Sequence, residues 1–141
     1  MTEEQLVYIV DDDEDVREGF GLLMETVGQP FKSYATALAF LEDYHDGMRG
    51  CLVLDIRMPR MSGLELQQKL NEKGSLLPII FITGHGDIPL AVEAMRRGAL
   101  DFIRKPFREQ NLLDRINEAL HIEDGKRRTQ ADRQHVLDLF D

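Results

Sequence analysis

Carboxylate side chains directly follow two short apolar segments of this 141-residue chain. Residues 7–10 lead into Asp11 and Asp12, and residues 52–54 lead into Asp55. Apolar segments of this length between turn signals are typical of buried parallel strands, and ligands of open parallel sheets bind beyond the carboxyl ends of the strands. The three acids are therefore expected to share a crevice. Because such carboxylates repel one another, they suit a divalent cation such as Mg²⁺.

Two further apolar segments end in groups that complement a phosphoryl group. Residues 78–82 lead into Thr83, and residues 101–104 lead into Lys105. A hydroxyl and an ammonium group beside a metal can position and neutralise phosphoryl oxygens, and phosphoryl transfer needs little covalent work from a protein. Asp55 ends the expected central strand, so it is the best candidate for a nucleophile that forms an acyl phosphate.

Each of these residues has a simpler interpretation when it is taken alone. An aspartate after a strand is often a helix N-cap, a Thr-Gly pair is often a turn, and most lysines lie in solvent. The combination of acid, acid, hydroxyl and ammonium after successive strands favours a phosphoryl site. Asp13 and Glu14 are expected to begin the first helix, where the helix dipole favours negative charge.

The segments between the strands carry helical signals, so that a strand and a helix alternate five times. Thr36 can cap the second helix, and Ser62 with Glu65 has the spacing of a capping box before the third. Residues 31–33 are expected to form a short second strand. This alternation predicts a parallel sheet with helices on both faces.

The fourth helix is predicted to begin at Asp87 and Pro89. Its apolar residues Ala91, Val92 and Met95 are expected to face the core.

The C-terminal region changes in composition after Ile122. Residues 123–133 are almost wholly polar and include Lys126-Arg127-Arg128, and residues 136–140 form an apolar cluster. We therefore predict that residues 1–122 form one domain and that residues 123–141 form a linker with a short C-terminal helix, which leads to an effector domain outside this chain. The basic run could contact DNA, although charged runs are usually solvated.

Composition limits the remaining classes of function. A chain with 43% hydrophobic residues can bury a core, and the single cysteine, Cys51, is expected to be buried in a strand, which favours a reducing, cytoplasmic setting. No segment approaches the roughly 20 apolar residues of a membrane span, and the acidic N-terminus lacks the basic start of a signal peptide. The net charge of −9 opposes direct binding to nucleic acid.

Four segments combine the residues discussed above. They are residues 10–13 (VDDD), 54–59 (LDIRMP), 83–87 (TGHGD) and 102–107 (FIRKPF). In this combination the chain resembles the receiver domain of two-component response regulators, and TGHGD together with AVEAM at residues 91–95 resembles the FixJ-type subfamily. The resemblance extends from Leu6 to about Ile122. It implies a doubly wound, flavodoxin-like (βα)5 α/β fold with strand order 2-1-3-4-5.

The resemblance also implies a role for each residue of the site. Asp55 would accept a phosphoryl group from a phosphohistidine of a sensor histidine kinase, and Lys105 would pair with the phosphoryl oxygens. Asp12 and Asp55 would bind Mg²⁺, or alternatively Mn²⁺, directly, Asp11 would bind it mostly through water, and the backbone carbonyl of Arg57 would complete the protein ligands. The peptide bond between Lys105 and the next residue, Pro106, is expected to be cis.

A conformational switch is implied by the same resemblance. When the phosphoryl group draws the Thr83 hydroxyl inward, Phe102 would fill the vacated space, and the surface of the fourth helix and fifth strand would rearrange and dimerise. Arg57 and His85 would tune the lifetime of the acyl phosphate. The protein is thus expected to be a phosphorelay switch with slow self-dephosphorylation rather than an enzyme, with transcription as its output through a helix-turn-helix domain.

Two rival hypotheses belong to other classes of function. One is a phosphatase whose nucleophile is the first acid of the motif Asp11-x-Asp13, although such enzymes usually have more chain for a cap. The other is a binding module that keeps the fold without phosphorylation, against which the acids, Thr83 and Lys105 argue.

Overall fold

Five parallel strands form the central sheet of the computed structural model, which describes residues 4–84 and 86–139. The strands are β1 (Leu6–Val10), β2 (Phe31–Tyr34), β3 (Gly50–Asp55), β4 (Ile79–Thr83) and β5 (Asp101–Arg104). Their order across the sheet is β2-β1-β3-β4-β5, so the predicted order and the α/β fold class are confirmed. The central strand β3 has no exposed residue, which explains why its sequence is almost continuously apolar.

Five helices connect or follow the strands, and the local capping signals in the sequence identify where three of them begin. The helices are α1 (Glu14–Thr26), α2 (Ala37–Asp43), α3 (Gly63–Glu72), α4 (Ile88–Arg96) and α5 (Glu109–Leu139). The side chains of Asp13, Thr36 and Ser62 each accept a hydrogen bond from backbone N–H groups in the first turn of α1, α2 and α3. These contacts confirm the predicted caps.

The core consists of two apolar layers, one on each face of the sheet. Phe20 of α1 and Ile116 of α5 pack with Ile82 on one face. Phe40 of α2 and Leu66 of α3 lie in the layer on the other face. Cys51 is fully buried, as predicted, and burial raises the pKa of its thiol to about 12, so this thiol is unreactive at neutral pH.

Helix α4 presents a different face to the core from the predicted one. Ala91 and Ala94 are its buried residues, whereas Val92 and Met95 are 42% and 38% exposed. The prediction that Val92 and Met95 face the core is therefore wrong. Small side chains let α4 approach the sheet closely, which leaves the larger apolar residues on the outer surface.

Helix α5 differs from the predicted core helix, polar linker and separate short helix, because it is continuous over 31 residues. Glu123, which was expected to begin the linker, is completely buried and hydrogen-bonded. Every residue from 128 to 139 is exposed. Even this longest helix is too polar to cross a bilayer, and no other helix in the described residues is long and apolar enough to do so.

Candidate functional site

Three carboxylates converge at the carboxyl edge of the sheet. β1 and β3 are neighbours, with Val10 opposite Leu54, so the residues at and after their carboxyl ends lie together. Asp11, Asp12 and Asp55 each offer an oxygen atom, and these atoms all lie within 4.8 Å of one another. The structure thus brings together the three acids that the sequence pointed to.

Backbone contacts orient two of these carboxylates. The N–H of Asp13 donates to Oδ1 of Asp11 at 2.9 Å, and the N–H of Arg57 donates to Oδ1 of Asp55 at 3.2 Å. Oδ2 of Asp11 is buried and has no hydrogen-bond partner among the described residues. Because a buried acceptor without a partner is costly, this atom is suited to a bound ligand.

The electrostatics of the crevice favour a cation. Burial, together with the nearby charge of Asp11, raises the pKa of Asp55 from 3.8 to about 6, while Lys105 opposes the shift. Burial likewise raises the pKa of Asp11. The folded protein therefore holds Asp11 and Asp55 where their charged forms are unfavourable, and a divalent cation would offset this cost.

Lys105 follows β5 and Thr83 ends β4, so both lie at the edge of the sheet that carries the acids. Nζ of Lys105 lies 3.9 Å from Oδ2 of Asp11, and its backbone N–H donates to the carbonyl of Thr83 at 2.8 Å. The Thr83 side chain is fully buried, and within the described ranges its Oγ1 has no hydrogen-bond partner. The Lys105-Pro106 peptide bond is cis, as expected.

Phe102 lies on the same face of the sheet as Thr83. Phe81 is opposite Phe102, and Thr83 is opposite Arg104, and directly opposed residues of parallel strands project to one face. Phe102 is partly buried and packs against the core layer that includes Ala91 and Ala94 of α4. The predicted switch residues are therefore placed side by side along β4 and β5, on the side covered by α4.

Sequence reasoning missed a contact between Arg57 and Asp87. Nε of Arg57 donates to Oδ1 of Asp87, and the Asp87 side chain is only 8% exposed. Asp87 was expected only to begin α4, and nothing in the local sequence indicates a partner 30 residues away. His85 lies outside the described residues.

Comparison with known proteins agrees with this combination of fold and site. The family model of the response regulator receiver domain matches residues 7–117. The chain therefore belongs to the response regulator receiver domain family, whose members generally bind Mg²⁺ at an acidic pocket. The donor set of Asp11, Asp12 and Asp55 fits such an ion, because all three supply the oxygen ligands that Mg²⁺ prefers.

Named relatives refine the assignment. The chain is 52% identical over 120 residues to the response regulator protein TmoT of Ectopseudomonas mendocina, covering 85% of this chain and 54% of that protein. It is 44% identical over 120 residues to the transcriptional regulatory protein FixJ of Azorhizobium caulinodans, covering 85% of this chain and 57% of that protein. The predicted similarity to the FixJ-type subfamily is confirmed.

A solved structure, that of the response regulator StyR, matches with a TM-score of 0.92 and 43% identity, covering 98% of this chain and 70% of that chain. A match over 98% of this chain includes much of α5 beyond Ile122. The chain spans about half the length of the curated relatives described above.

Proposed function

We propose that Asp55 is the phosphoacceptor of a two-component phosphorelay. One of its carboxylate oxygens forms a bond to phosphorus while the nitrogen–phosphorus bond of a sensor kinase phosphohistidine breaks, and the released imidazole takes up a proton. The observation that carries the proposal is the convergence of three carboxylates within 4.8 Å beside Lys105. With a pKa of about 6, Asp55 is mainly ionised at neutral pH and can act as a nucleophile.

The cluster of acids in the same crevice supports the metal ligands that the resemblance implies. Asp12 and Asp55 would hold Mg²⁺ directly, Asp11 through water, and the backbone carbonyl of Arg57 would complete the protein ligands. When bound, Mg²⁺ neutralises the charge on the carboxylates and on the phosphoryl oxygens. Mn²⁺, which also accepts carboxylate oxygens, would serve in its place.

Lys105 and Thr83 would receive the phosphoryl group. The ammonium group of Lys105, already 3.9 Å from Asp11, would donate to one phosphoryl oxygen. The hydroxyl of Thr83 has no partner among the described residues and would donate to another. A buried hydroxyl without a partner gains more from such a bond than a solvated hydroxyl does.

The switch would use the space that Thr83 leaves. Phe102, on the same sheet face, would move inward, and the outer surface of α4 and β5 would change. This surface already exposes the apolar residues Val92 and Met95, which supports its use in homodimerisation. Arg57 and His85 would control the access of water to the acyl phosphate and hence its slow hydrolysis.

The output would be transcriptional. The longer relatives include proteins named as transcriptional regulators, and this chain corresponds to about half of their length. A helix-turn-helix domain following the receiver would supply the contact with DNA, since the net charge of this chain is −9.

The decisive experiment is phosphorylation of the 141-residue chain by acetyl phosphate in the presence of Mg²⁺. Mass spectrometry should show one added phosphoryl group, which is absent in Asp55→Asn and in EDTA. Asp114→Asn, on the exposed surface of α5, is the matched control and should be phosphorylated normally. Failure to label the wild-type chain while a known receiver is labelled would refute the role of Asp55.

Turnover of a phosphomonoester that needs Asp11 but not Asp55 would establish the phosphatase hypothesis.

A further inference from the structure

Glu123 is a completely buried carboxylate at the edge of the sheet opposite the phosphoryl site. Its Oε1 accepts hydrogen bonds from Nε2 of Gln5 at 2.8 Å and from the backbone N–H of Gly50 at 3.2 Å. Gln5 precedes β1, and Gly50 is the first residue of β3. One side chain of α5 thus joins the amino-terminal ends of the neighbouring strands β1 and β3.

Two arginines neutralise this buried charge. Nη2 of Arg49 lies 3.3 Å from Oε1 of Glu123 and 2.8 Å from Oδ1 of Asp124. Nε of Arg127 donates to Oε2 of Glu123 at 2.9 Å. We call Arg49, Glu123, Asp124 and Arg127 the polar latch. Because both arginines are more than three-quarters buried, their bonds to Glu123 are less screened than those of a surface ion pair.

Arg127 also ties α5 to the loop before β3. Its Nη1 donates to the carbonyl of Asp46 at 2.8 Å, and its Nη2 donates to the carbonyl of Met48 at 2.6 Å. A planar guanidinium group that makes three directed contacts fixes the orientation of the helix as well as its position.

Gly125 lies between the residues of the polar latch. Glycine in a helix interior costs about 1 kcal/mol relative to alanine, and a Cβ atom at Gly125 would meet no atom within 4 Å. The glycine is therefore not required by packing. Residues 128–139 are all exposed, and a helix of this length is only marginally stable on its own in water. Without tertiary contacts, Gly125 is the natural point at which α5 would bend or fray.

We propose that the polar latch holds residues 126–139 of α5 in a fixed orientation relative to the receiver domain and suppresses a hinge at Gly125. With the latch closed, the helix leaves the domain in a single direction and sets the position of whatever follows it. With the latch open, the receiver remains folded but the helix beyond Gly125 samples many directions. This device is separate from phosphoryl acceptance at Asp55, which lies at the opposite edge of the sheet.

The test uses the 141-residue chain and measures two properties of residues 126–139 of α5, which are their helical order and their direction relative to the receiver domain. Glu123→Gln keeps the size of the side chain but removes the charge that balances Arg49 and Arg127. Hydrogen exchange of amides 126–139 should accelerate at least tenfold, because breaking a buried ion pair leaves an uncompensated charge. Glu118→Gln, which removes the exposed partner of Arg115 on the same helix, is the matched control and should change nothing there.

Direction is measured with spin labels attached to Lys69→Cys in α3 and Gln130→Cys in α5, since buried Cys51 will not react. The distance distribution should be narrow in the otherwise wild-type chain and broad with Glu123→Gln. Adding Gly125→Ala to Glu123→Gln should restore much of the lost helicity and narrow the distribution. Unchanged exchange and an unchanged distribution in Glu123→Gln would overturn the proposal, because the helix would then be stable by its own propensity.

A milder variant covers the case in which Glu123→Gln unfolds the domain. Arg127→Gln leaves the Arg49–Glu123 pair in place and removes the contacts with Asp46 and Met48. It should broaden the distance distribution while acetyl phosphate still labels Asp55 and the β3 amides stay protected. A narrow distribution in this folded variant would equally refute the polar latch. If acetyl phosphate fails to phosphorylate the wild-type chain, this result would refute only the proposed phosphoacceptor role of Asp55 and not the polar latch.

Discussion

Arg57 donates a hydrogen bond from its Nε to the carboxylate of Asp87, which connects the loop after β3 to the N-cap residue of α4. The Arg57 side chain is 69% exposed, whereas Asp87 is nearly buried. In the described part of the chain, Asp87 makes no capping bond to α4 through its side chain. The amino-terminal end of α4 is therefore connected to the loop after β3 by an ion pair in which only Arg57 is open to solvent.

The other end of α4 is held differently. Nε2 of Gln67 donates to the carbonyl of Ala94 at 2.9 Å, and Nδ2 of Asn71 donates to the carbonyl of Arg97 at 3.0 Å. Both donors belong to α3. Because the partner that holds the amino-terminal end of α4 lies largely in solvent, whereas Gln67 at the other end is buried, we expect the amino-terminal end to move and the far end to act as a pivot.

Arg57→Ala should loosen the start of α4. Arg57 is largely in solvent, but its removal leaves the nearly buried carboxylate of Asp87 without this partner, so the free energy of unfolding should fall by about 1 to 3 kcal/mol. Hydrogen exchange of the Ala91 amide, in the first turns of α4, should accelerate, while the Ala99 amide beyond the pivot should not change. The acyl phosphate should also hydrolyse severalfold faster, because the guanidinium group no longer limits the access of water.

Arg60→Ala, in the same exposed loop, is the control for this variant and should leave both exchange and hydrolysis unchanged. Equal acceleration at Ala91 and Ala99 in Arg57→Ala would contradict the pivot. The lifetime is read by mass spectrometry after removal of the phosphodonor.

Asp55→Asn should stabilise the metal-free protein at neutral pH. The pKa of Asp55 is raised from 3.8 to about 6, so the folded protein binds the proton more tightly than the unfolded chain does. The wild type therefore loses more stability than the variant does as the pH rises from about 4 to above 6. In EDTA at pH 7.5, the variant should be about 1 to 2 kcal/mol more stable, since the partial exposure of Asp55 weakens the effect, and the difference should shrink at pH 5.

Urea denaturation at the two pH values measures this difference. Asp114→Asn, on the exposed surface of α5, should show no comparable gain. Mg²⁺ should raise the midpoint of the wild type far more than that of Asp55→Asn. A variant that is less stable than the wild type at pH 7.5 would show that the carboxylate is not destabilised by its surroundings.

Thr83→Ala should separate stability from switching. The Thr83 hydroxyl is buried without a partner among the residues described, so its removal should change the free energy of unfolding by less than about 1 kcal/mol. Beryllofluoride with Mg²⁺ should bury Phe102 in the wild type and leave it unchanged in Thr83→Ala. Ring resonances of Phe102 in NMR spectra report the difference, and an unresponsive Phe102 in the wild type would disprove the coupling.

Local signals in the sequence were sufficient to predict the strands, the helix caps and the edge of the sheet at which the candidate site lies. Asp13, Thr36 and Ser62 were identified because each cap contacts N–H groups within three residues. Glu123 looked like part of a polar linker because its partner Arg49 lies 74 residues away. Burial of an acid by distant partners leaves no periodic pattern in the sequence.

The error in α4 has a related cause. The apolar pattern gave equal weight to Ala91, Val92 and Met95, since all three are apolar. Which of them faces the core depends on how closely α4 packs against the sheet. In the structure Ala94, rather than Met95, is buried together with Ala91. Which face of a short apolar helix is buried is therefore a property of the packed structure.

Val92→Glu should prevent activated dimerisation through α4 and β5. Val92 is 42% exposed beside Met95, and a charge placed in an apolar interface must be desolvated without a partner. With beryllofluoride and Mg²⁺, the wild type should elute as a dimer and Val92→Glu as a monomer in size-exclusion chromatography with light scattering. Leu22→Glu, a similarly exposed apolar position on α1, should still dimerise. Since Val92 and Leu22 are exposed on the outer faces of their helices, acetyl phosphate should label both variants at Asp55. A dimer that survives Val92→Glu would place the interface on another surface.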